Sequence, residues 1–73
     1  MTPDLARAVE ALRVYNGSSS VPMNTQRRFY NRARKLISRV ATTRGMSEAQ
    51  AWEQIEGEAR RLGPILPKPG KDY

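Results

Sequence analysis

Apolar residues recur at helical spacing in three segments of the chain, and turn-forming residues separate them. In the first, Leu5, Val9 and Leu12 share one stripe, which Tyr15 extends. Thr2 is placed to cap this helix, and Pro3 suits its first position because the missing N–H would have no intrahelical acceptor. Asp4 follows where the helix dipole favours an anion. Asn16-Gly17 ends the segment, with a glycine able to take the left-handed conformation. Ser18-Ser19-Ser20 reads as a loop. Both flanks of the Asn-Gly pair are helix or loop, so no hairpin is expected there.

The second segment runs from about Thr25 to Arg44, with Phe29, Ala33, Leu36, Ile37 and Val40 on its apolar stripe. Its start has two readings: Pro22 in the first turn, or Asn24 as the cap. Gly45 terminates it. The third segment opens on Ser47-Glu48-Ala49-Gln50, the S-x-x-Q form of the capping box. Trp52, Ile55, Ala59 and Leu62 then fall on one face, and Gly63-Pro64 stops the helix.

This pattern predicts an all-α protein. Residues 1–63 form a small three-helix domain, and residues 64–73 form a Pro-rich, partly extended tail. Leu5, Val9, Leu12, Phe29, Leu36, Ile37, Val40, Trp52, Ile55 and Leu62 are the expected core, with Trp52 its largest piece. In the tail, Ile65 and Leu66 are placed to fold back onto that core. Pro64 and Pro67 with Lys68 also match a P-x-x-P ligand pattern, but a helix-stopping tail accounts for them more simply.

Composition removes several kinds of chemistry. The 73 residues include no cysteine and no histidine. A Cys/His zinc site and any thiol or imidazole catalysis are thereby excluded. Ser18, Ser19 and Ser20 have no histidine to activate them, and the carboxylates show no metal-binding or acid/base spacing. No glycine-rich loop is present to cradle phosphate. So small a core leaves little room for a pocket of ~300 Å³ or more. The chain is therefore read as a non-enzyme, with no catalytic residue, no metal and no cofactor. Apolar runs reach only two residues, as at Leu36-Ile37, which excludes a membrane-spanning helix. No basic leader precedes an apolar stretch, and the expected location is the cytoplasm.

Charge changes the picture most. The net charge is +6, and it is unevenly spread. Residues 1–20 sum to zero, residues 21–46 carry +7 with no acid, residues 47–62 carry −2, and the remainder adds +1. At about 100° per residue, Arg28, Arg32, Lys35 and Arg39 fall within an arc of roughly 60° on the second helix. Arg27 and Arg34 form another ridge on the other flank of its apolar stripe. Like charges at i,i+4 mildly destabilise a helix, so packing alone does not select such a face. These six residues are the candidate surface for nucleic acid or another anionic partner.

Two plainer readings compete. The stripe is either a solvated face or the partner of the third helix's glutamates. Seven cations against four glutamates leave a surplus even if every glutamate pairs. A membrane surface is disfavoured, because the only tryptophan is expected away from the basic stripe. A helix-turn-helix in its usual arrangement is disfavoured too. Its groove-entering helix would carry Glu48, Glu53, Glu56 and Glu58 toward phosphates. The second helix is the better candidate, with amides at Asn24, Gln26 and Asn31; Tyr30, at the edge of the stripe, reads either as a ring for a base or, more commonly for such a position, as an edge-of-core tyrosine.

In length, charge and lack of catalytic groups the chain resembles short bacteriophage proteins that bind bacterial RNA polymerase. The stripe from Arg27 to Arg39 is the residue-level feature behind the comparison. The resemblance implies a monomeric regulator in the host bacterial cytoplasm that blocks initiation and promotes terminator read-through. Its partners would be RNA polymerase and the phosphates of RNA or DNA. An apolar anchor to the polymerase would lie at Val14 and Tyr15 or at Ile65 and Leu66. The alternatives are a stand-alone DNA- or RNA-binding repressor or architectural factor, and an inhibitor of an acidic protein.

Overall fold

A computed structural model describes residues 2–68. They form three helices, α1 Pro3–Asn16, α2 Met23–Arg44 and α3 Glu48–Leu62, with no strand among the described residues. Each helix packs on both others. The protein is thus all-α, as the periodicity predicts.

Local chemistry sets most of the boundaries. Thr2 is extended and caps α1, its Oγ1 accepting the Leu5 N–H at 3.4 Å. The same oxygen accepts from the Arg44 guanidinium at 2.9 Å, which ties the start of α1 to the end of α2. α2 ends in a Schellman arrangement: Gly45 is left-handed at φ 66°, and the Met46 N–H reaches the Ala41 carbonyl at 3.0 Å. The α3 capping box is complete. Ser47 Oγ accepts the Gln50 N–H, and Gln50 Oε1 accepts the Ser47 N–H, both at 3.1 Å.

Two boundaries are formed differently. α2 starts at Met23, with Pro22 in the cap position and no side-chain cap. The Asn24 carboxamide instead accepts the adjacent Thr25 N–H at 3.0 Å. Gly17 is not left-handed; its φ is −92°. A close approach requires glycine there. A Cβ at position 17 would lie 2.2 Å from the Ile65 carbonyl oxygen.

That approach belongs to a latch at one end of the bundle. The Arg13 carbonyl, near the end of α1, accepts the Ile65 N–H at 3.1 Å. The Arg13 side chain answers in the other direction. Its Nε donates to the Gly63 carbonyl at 2.7 Å and its Nη2 to that of Leu62 at 3.4 Å. A cation thus caps the negative end of the α3 dipole. Ile65 is half-buried here, and Leu66 is exposed. The expected tail beyond Lys68 lies outside the described residues.

The core is smaller in side-chain size than the sequence reading anticipates. Its buried centre is Ala8, Val9, Ala11, Leu12, Ala33, Ile37, Val40, Ala41, Ala51, Ile55 and Ala59. Alanines from all three helices make up much of this centre, and small side chains of this kind favour close helix packing. Trp52 packs at the edge, half-buried, as do Leu5 and Leu36. Leu62, expected in the core, is 43% exposed. It is the last residue of α3, where the backbone turns toward Arg13.

Candidate nucleic-acid interface

α2 positions the cationic side chains because its buried stripe is already fixed. Phe29, Ala33, Ile37, Val40 and Ala41 face inward. The remaining positions are then forced outward by helical geometry. Arg27, Arg28, Arg32, Arg34, Lys35 and Arg39 are all exposed. Arg28, Arg32, Lys35 and Arg39 run about 16 Å along the helix axis on one flank. Arg32 lines a shallow recess with Glu10, Ala11, Val14 and Phe29, on the α1 side. Arg27 and Arg34 lie on the other flank: Arg27 lines a recess with Tyr30, and Arg34 lines one with Asn31, Lys35, Ser38 and Glu48.

Two of the α3 glutamates are paired within their own helix. Glu56 pairs with Arg60 and Glu58 with Arg61, both within α3. Glu48 accepts the Ser38 hydroxyl at 2.7 Å, at the junction of α2 and α3. Arg27, Arg32, Arg34, Lys35 and Arg39 make no ion pair among the described residues. α2 also has no acid in its first turn, so the positive end of its dipole adds to the cationic field. On α3, the Arg61 hydrogen bond holds the Glu58 carboxyl below the usual glutamate range, and the same bond raises Arg61.

An aromatic group adjoins the Arg27–Arg34 ridge. Tyr30 stacks on Trp52, with ring centroids 6.0 Å apart and planes 27° apart. Tyr15 meets Tyr30 edge-on at 5.3 Å and 62°. Trp52, expected on the apolar face of the third helix and not beside the basic stripe, stands one ring away from Arg27. This pairing joins residues on different helices, and only the position of Tyr30, three after Arg27 and four before Arg34, hinted at it.

The proposed anchor residues separate. Val14 is 2% exposed and has no free surface to offer a partner. The loop after α1 turns back over that end of the helix, where Ser18 is buried and donates its hydroxyl to the Tyr15 carbonyl at 2.6 Å. Tyr15 is half-buried against Tyr30, and Ile65 is held in the latch. Leu66, at 75% exposure, is open to solvent.

No protein-family model, no curated protein and no solved structure matches this chain. No helix among the described residues is long and apolar enough to cross a membrane.

Proposed function

We propose that this chain is a small basic transcription regulator that lays α2 against nucleic-acid phosphates. One observation supports the reading most directly. α2 carries exposed cations on both flanks of its buried stripe, while Glu56 and Glu58 are turned to arginines of their own helix. Such a surface has its charge available for an external anion.

The resemblance to phage regulators supplies the setting, a bacterial RNA polymerase in the host cytoplasm. A protein anchored there by apolar contacts at Leu66 and the half-buried Ile65 brings α2 to emerging RNA or nearby DNA. Holding RNA single-stranded opposes the hairpin on which termination depends. Engagement of the enzyme before elongation blocks initiation.

Transcription with purified bacterial polymerase on a promoter–terminator template tests this directly. The protein is expected to lower initiation and raise read-through, and the R32A/K35A/R39A variant is expected to lose the read-through effect. Unchanged initiation and termination would overturn the proposal.

The second reading is a stand-alone DNA- or RNA-binding protein. It is favoured by the ordering of both ridges on the isolated chain, which needs no partner to assemble them. Affinity capture from a bacterial lysate separates the two. Polymerase subunits retained after nuclease treatment support the regulator, and capture that vanishes with nuclease supports the direct binder.

A further inference from the structure

Tyr30 belongs neither to the core nor to the cationic ridges. It is 38% exposed, yet two neighbouring rings hold it in place. Trp52 supports one face and Tyr15 meets it edge-on. Beside it lies an open recess of about 240 Å³ lined by Tyr15, Met23, Gln26, Arg27 and Tyr30. Met23, 71% exposed, offers a polarisable side chain at the rim. Arg27 precedes Tyr30 by one turn and Arg34 follows it by one turn, about 10 Å apart along the axis. Both are exposed and make no ion pair among the described residues.

This combination has a specific chemical complement. An aromatic surface bracketed by two cations suits a ligand with a flat π-face between two anionic groups. A single-stranded nucleic acid presents that pattern, with an unstacked base between phosphates. A duplex does not, because its bases are already stacked inside. The fixed rings also limit the side-chain entropy lost on binding.

We propose that Tyr30, backed by Trp52 and flanked by Arg27 and Arg34, is a base-stacking site for single-stranded nucleic acid. This rests on the reading that α2 contacts nucleic acid, and adds which form is bound and where. Base and phosphate are common to RNA and single-stranded DNA, so the chemistry of the site accepts both.

Fluorescence anisotropy with labelled oligo(dT), oligo(U) and a short duplex tests the site. Single strands are expected to bind more tightly than the duplex. Y30L is expected to weaken single-strand binding roughly 5- to 160-fold, the range for losing one stacked base. Its salt dependence should be unchanged, and Y30F should bind like the parent. R27A/R34A should instead flatten the salt dependence, by roughly 0.7 log units per lost contact. Loss of binding by Y30L in either the oligo(dT) or the oligo(U) arm supports the site and identifies its source. A second readout needs no variant: single strands should quench Trp52 emission, and the duplex should not. Y30L binding single strands as tightly as the parent, or unchanged Trp52 emission on saturation, would overturn the site and leave the phosphate contacts of α2 standing. A parent protein that binds neither strand form would overturn both readings.

Discussion

Replacing Gly17 by alanine tests how the end of the chain is fastened to α1. The backbone at Gly17 has φ −92° and ψ 9°, which alanine adopts without strain. On that ground alone the substitution would stabilise by about 0.4–1 kcal/mol, through the unfolded chain. The new Cβ, however, would meet the Ile65 carbonyl oxygen at 2.2 Å and its carbon at 2.7 Å. These are backbone atoms, which a rotamer change does not remove. The Ile65 segment must move, because the loop after α1 is held by several hydrogen bonds and Ile65 by its one to Arg13. Its displacement forfeits that bond, worth about 1 kcal/mol, and the half-burial of Ile65, worth about 1 kcal/mol more. Set against the smaller gain through the unfolded chain, the net destabilisation is about 1–2 kcal/mol. Circular dichroism at 222 nm should then show Tm falling by roughly 4–16 °C. The same substitution in a chain ending at Pro64 has nothing to strike, and should stabilise slightly. A full-length G17A protein as stable as its parent, or an equal loss in the shortened chain, would refute the reasoning.

Three further outcomes follow from the local chemistry. S47A removes one half of the α3 capping box and should cost about 1 kcal/mol, seen as a Tm drop of roughly 4–8 °C. R13A takes the cap from the Leu62 and Gly63 carbonyls and should cost about 1–2 kcal/mol in urea unfolding, with R13K losing less because its charge still meets the helix dipole. Glu58 should titrate below the ordinary glutamate range in a carbon-13 NMR titration, because Arg61 donates a hydrogen bond to its charged form. A lowered folded-state pKa means that this pair's contribution is present above the ordinary glutamate pKa and lost as pH falls through the lower folded value. R61A should return the Glu58 titration to the usual range.

The features legible in the sequence are those one helix or one turn determines by itself. Thr2, Gly45 and the Ser47/Gln50 pair act on backbone groups within a few residues, and the structure places them as their types require. The cationic ridges were readable for the same reason, since α2's buried stripe dictates its exposed flanks. Trp52 and Leu62 were misplaced because periodicity says which residues share a face and not how closely two helices approach. Alanines at 8, 33, 51 and 59 make up much of the buried centre, and the indole packs at its edge. Arg13 and Gly17 owe their roles to residues 63 and 65, far along the chain. The Tyr30–Trp52 stack likewise exists only once α2 and α3 are packed.

The central claim is that α2's cations bind nucleic-acid phosphates. Its most direct test is the salt dependence of binding to labelled single-stranded and duplex probes, for the parent and for R32A/K35A/R39A. The account predicts measurable binding at low salt, with log affinity falling linearly against log salt. The triple variant should lower that slope by roughly 0.9 per lost contact on duplex DNA and 0.7 on single strands. No binding at the lowest salt, or a triple variant with the parent's affinity and slope, would contradict it.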